Sequence, residues 1–77
     1  MSAHLNEVVL HLNETLDDEA LRQLEDAVRQ DPGVISVGHA PDKVNMIMVV
    51  YDSESTRASK LLHNFQERGL HAQVVGL

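Results

Sequence analysis

The sequence predicts a ferredoxin-like α+β sandwich, a four-stranded antiparallel sheet with two helices on one face. Three observations lead there. Strand-like and helix-like segments follow one another in the order β-α-β-β-α-β, the split βαβ plan. Both helical segments are amphipathic with a single apolar stripe, so each needs an apolar layer beneath it. Breaks at Asp31-Pro32-Gly33, Pro41-Asp42-Lys43 and Gly69 fall where that plan requires turns.

The first strand is LNEVVLHL, Leu5 to Leu12. It nearly alternates, with Val8, Leu10 and Leu12 on one face and Glu7, Val9 and His11 on the other. A helix from Leu16 to Gln30 follows, with Thr15 as its N-cap and Leu21, Leu24, Ala27 and Val28 as its stripe. Its polar face carries Asp17, Asp18, Arg22, Glu25 and Arg29, and Glu25 is placed to pair with Arg29 one turn on. Pro32 and Gly33 stop it, because proline cannot continue a helix and glycine suits the turn. The second strand runs from Val34 to Ala40 and the third, VNMIMVVY, from Val44 to Tyr51. The third is apolar on both faces. A second helix, Thr56 to Arg68, buries Ala58, Leu61, Leu62 and Phe65, and Gly69 ends it. The last strand, HAQVVGL, puts Ala72 and Val74 on one face.

Residues 1–77 read as a single domain, close to the smallest size that supports its own core. One Phe, one Tyr and no Trp leave that core to aliphatic side chains. Twelve acids against six bases give a formal charge of −6, which repels phosphate backbones and anionic lipid. Nucleic acid is therefore not an expected partner. With no cysteine, disulfides, thiolate metal sites and cysteine nucleophiles are excluded. No 18-residue apolar run and no leader pattern occur, so the expectation is a small soluble cytoplasmic protein, or one domain of a larger one, without direct membrane insertion.

Several pieces together resemble the heavy-metal-associated domain, the small module of copper chaperones and metal-pumping ATPases. They are Pro32-Gly33-Val34 with Ser36-Val37, then Val49 and Tyr51-Asp52, then Glu67-Arg68-Gly69-Leu70 before Ala72 and Val74-Val75. The resemblance spans nearly the whole chain and implies the same fold. It also implies a Met-x-Cys-x-x-Cys loop before the first helix, where this chain has Thr15, Asp17 and Ala20. A carboxylate and a methyl group do not replace two thiolates for cuprous ion. The stretch NETLDDEALRQL reads instead as a helix start, with Asp17, Asp18 and Glu19 at the positive end of the helix dipole.

Function is therefore sought on the sheet. With Ile47, Val49 and Tyr51 facing the helices, Met46, Met48 and Val50 lie on the open face, and the fold sets Val9 and His11 beside them. Met and Val there form an adaptable apolar patch for another protein or a second copy of the chain. The leading expectation is a non-enzymatic domain that has lost its cysteine site and acts through protein contact, in a metal-handling system or by self-association. Its contact residues are Val9, His11, Met46, Met48 and Val50. A second reading has His11, Met46 and Met48, or the acidic loop, bind copper or zinc; otherwise no cofactor is expected. A third reading is a signal-peptide-binding assembly chaperone, because APDKVNMIMVV resembles the ferredoxin-like assembly chaperone of periplasmic nitrate reductase, or else a small-molecule regulatory domain. Catalysis lacks a basis: no serine has a recognisable His-acid pairing, and the four glycines are scattered, forming no phosphate loop.

Overall fold

A computed structural model describes residues 4–76. The elements are β1 (Leu5–Leu12), α1 (Asp18–Val28), β2 (Val34–Gly38), β3 (Met46–Asp52), α2 (Ala58–Glu67) and β4 (Ala72–Gly76). The four strands form one sheet in the order β2-β3-β1-β4, with every neighbouring pair antiparallel. This is the ferredoxin-like arrangement expected from the sequence. The expected last strand also included Leu77, which lies outside the described residues.

Alternation along β1 and β3 decides what becomes core. Val8, Leu10 and Leu12 on β1 and Ile47 and Val49 on β3 are completely buried, with Tyr51 nearly so. Leu21, Leu24 and Val28 of α1 and Leu61 and Phe65 of α2 close over them. Leu16, Ala58, Leu62, Leu70 and Ala72 pack around the margin. Both edge strands carry irregularities, between Val34 and Ser36 on β2 and opposite Val9/Leu10 on β4. Such bulges twist an edge and discourage further strand pairing.

The helix ends show where local chemistry overrides periodicity. The N-cap of α1 is Asp17 rather than Thr15, and its carboxylate accepts a 2.8 Å bond from the Ala20 amide. A cap two residues later shortens the helix relative to the expected Leu16 start. Replacing Asp17 with alanine is expected to cost about 1 kcal/mol, read as a lower urea midpoint with an unchanged slope. At its other end, α2 closes in a Schellman turn. The Gly69 amide bonds the Gln66 carbonyl, the Leu70 amide bonds the Phe65 carbonyl, and Gly69 takes φ 81°. Its start has no side-chain cap, because Arg57 at the cap position has donors but no acceptor on its side chain.

The expected Glu25–Arg29 pair does not form. Glu25 is buried and bonds His39, whereas Arg29 turns to Asp26 at 2.8 Å and donates to the Val37 carbonyl. An acid three residues back is within reach of a helical arginine, and Glu25 has a closer partner across the domain.

Candidate functional site

The register of the two central strands assembles the open face. His11 stands opposite Met46, Val9 opposite Met48 and Glu7 opposite Val50. On the next strand Ser36 is opposite Val50 and Gly38 opposite Met48, and on the far side Gln73 is opposite His11. All five predicted contact residues are thus brought together on the side of the sheet away from the helices. Met48 is 43% exposed at the centre, while Val9, His11, Met46 and Val50 are half-buried by one another and by their neighbours. Leu5, on the same side by alternation, extends the apolar surface toward the start of β1 and is also exposed.

Small residues on β2 explain the exposure of Met48. Gly38 opposite it has no side chain to cover it, and Ser36 adds only a hydroxymethyl group. The face is an apolar strip along the two central strands. Concavities are found on other parts of the molecule, among them one around Gly69, His71 and Asn13 and another between α1 and His39.

The loop between β1 and α1 is held rigidly by residues whose role the sequence did not reveal. Asn45 donates from its side-chain amide to the carbonyls of Leu12 at 3.1 Å and Glu14 at 2.9 Å. The Leu12 amide in turn donates to the Asn45 carbonyl. Glu14 accepts from the His71 amide and from the His71 ring Nδ1 at 2.6 Å, tying the loop to β4. The His71 ring, then the His71 amide, hold the Glu14 carboxyl below the usual carboxylate range. Asn45→Ala removes two bonds to half-buried carbonyls. It is expected to cost about 1–3 kcal/mol in chemical denaturation and to speed exchange of the Leu12 amide.

Every acid in this loop's helix start is committed to local structure or points to solvent. Asp17 caps the helix, while exposed Glu19 lies 3.7 Å from Arg22. Among the described residues no group of three or more His, Cys, Asp or Glu side chains could hold a metal ion. His11 has thioether neighbours rather than acids: Met46 directly across and Met48 diagonally.

Solved structures share this architecture closely. Oxidized MerP from Ralstonia metallidurans matches with a TM-score of 0.78 at 18% identity, covering 91% of this chain and 96% of that one. The fold is that of the heavy-metal-associated domains. The yeast copper transporter domain Ccc2a matches with a TM-score of 0.79 at 18% identity, over 91% and 94% of the two chains. The apo copper chaperone of Enterococcus hirae matches with a TM-score of 0.76 at 20% identity, over 88% and 98%. No protein-family model and no curated protein matches by sequence. The heavy-metal-associated fold is present here with no cysteine anywhere in the chain. Among the described residues, no helix is long and apolar enough to cross a membrane.

Proposed function

We propose that this chain is a non-enzymatic contact module of heavy-metal-associated fold, which binds another protein through the open face of its sheet. The observation that carries the reading is Met48, exposed at the middle of a strip formed with Val9, His11, Met46 and Val50. Folding already has its core on the other side, so a second apolar strip on the central strands needs a different cause. Thioethers adapt their shape to a partner better than branched side chains do. Likeness in fold to copper-handling domains supports a role beside metal transport, with the cytoplasm as the proposed compartment.

A photo-crosslinking amino acid at Met48 tests this in cells, with one at exposed Arg22 on the helix side as the control. The expected result is one identified protein joined at position 48 and absent from position 22. Equal labelling from both positions, or none at 48, removes the reading.

His11 beside two thioethers, Met46 across and Met48 diagonal on β3, supports a second reading, cuprous-ion binding. Titration with cuprous, cupric and zinc ions, followed through amide shifts, separates the two. Saturable shifts centred on His11, Met46 and Met48 favour metal; unchanged spectra leave contact alone.

A further inference from the structure

The open face is polarised in charge as well as apolar. The chain's six bases are Arg22, Arg29, Lys43, Arg57, Lys60 and Arg68, and none is on a strand. Five of them sit on the helices or at their caps, where Arg22, Arg29 and Lys60 pair with Glu19, Asp26 and Asp31. The sixth, Lys43, is in the β2–β3 loop next to Asp42. The strands carry two formal charges, both acidic: Glu7 and Asp52.

Those two acids share one end of the open face. Glu7 pairs with Val50 and Asp52 with Leu5, so they are diagonal neighbours across β1 and β3, about 7–8 Å apart by strand geometry. Glu7 is exposed, and neither acid has an ion-pair partner among the described residues. Asp52 accepts a bond from the Glu54 amide, which fixes its carboxylate in place. At the same end, His4 lies 3.6 Å from Glu54, a third acid at the margin. From there the strip runs through Val9, Met48 and Met46 to His11 with no further formal charge.

Building on the contact reading, we infer that the partner is a protein segment with basic side chains at one end of an apolar stretch. Its Lys or Arg residues meet Glu7 and Asp52, and its apolar residues cover Val9, Met46, Met48 and Val50. A second copy of the chain fits less well. Among the described residues its own open face offers these acids no Lys or Arg, only the His11 imidazole at the far end, and each copy brings a formal charge of −6.

Two synthetic peptides test the inference against the isotope-labelled chain. One has two arginines at one end of a leucine–serine stretch, and the other has glutamines in their place. The arginine peptide is expected to move the amides of Val9, Met48 and Val50 and to bind about five- to tenfold tighter at low salt. That preference should fade as salt screens the exposed pairs, and Glu7→Lys should abolish it. Equal binding by both peptides overturns the charge preference while leaving the contact reading intact. So does concentration-dependent self-association that shifts the same sheet amides. Shifts confined to the helices overturn the assignment of the face. If neither peptide moves the sheet amides and the chain stays monomeric, the contact reading falls with the inference.

Discussion

Phe65→Ala is expected to lower unfolding stability by about 3–5 kcal/mol, the largest loss from any single side chain here. Phe65 is completely buried and is the largest fully buried residue, in a core otherwise made mostly of aliphatic groups. Truncation leaves a cavity between α2 and the sheet that neighbouring Leu and Val side chains cannot fill by rotation alone. The position has a second duty, because its carbonyl accepts the Leu70 amide that closes the Schellman turn. Loosening α2 therefore also loosens the entry to β4. A domain of this length has a total stability of roughly 4–12 kcal/mol, so the variant should be largely unfolded at the lower end of that range. Urea denaturation monitored by far-UV circular dichroism measures it, with Phe65→Leu as a volume-sparing control expected to lose less than about 2 kcal/mol. A loss under about 1.5 kcal/mol for the alanine variant would show that the core re-forms around the gap.

The fold was legible because two signals coincide on each element. Val8, Leu10 and Leu12 alternate, and all three are buried; Leu21, Leu24 and Val28 repeat at helical spacing, and all three are buried. The turn residues then left few ways to connect these pieces. The misses have two causes, a local choice of cap at α1 and side chains bonded across the domain. Thr15 looked like a cap because of its type, but the chain turns into the helix at Asp17. Glu25 looked like a surface partner for Arg29, but His39, fourteen residues on, reaches it at 2.7 Å. The second strand ends at Gly38 rather than Ala40, because the following loop is shaped by His39 on Glu25 and by Asn45 on the β1–α1 loop. No local pattern encodes such long-range bonds.

The open face was legible for a related reason. A central strand buried on one side needs apolar residues at alternate positions only, and Met46, Met48 and Val50 exceed that need. The strand order then placed Val9 and His11 beside Met46 and Met48, and the pairing of β1 with β3 supplied the register. What the sequence could not supply was the degree of exposure, which depends on Gly38 and Ser36 lying beside the strip. The charge polarity was also hidden. Glu7 and Asp52 are forty-five positions apart in sequence and become neighbours only once β1 and β3 pair.

Asp31→Ala is the second large effect, expected to cost about 2–4 kcal/mol at neutral pH. The side chain of Asp31 is buried just after α1 and accepts from the Gly33 amide at 2.9 Å and the Thr56 hydroxyl at 3.1 Å. The Lys60 ammonium lies 3.3 Å from it. One carboxylate thus joins the turn before β2 to the start of α2. Gly33 keeps that junction tight, since a Cβ there would meet Thr56 Cγ2 at 2.7 Å. Burial pushes the Asp31 carboxyl up, but the bonds from Gly33, Lys60 and Thr56 together outweigh it and hold the group below its ordinary 3.8. A depressed folded-state value stabilises above the ordinary value, and that contribution is lost as pH falls through the folded one. The stability gap between the natural protein and Asp31→Ala should therefore be full at about pH 6 and shrink below about pH 4. Glu14 titrates in the same acid range, but it is present in both proteins and cancels in the difference. Paired urea titrations across that range measure the gap. A gap that stays constant down to the lowest pH would mean that Asp31 acts through its shape alone, with no contribution from its charge.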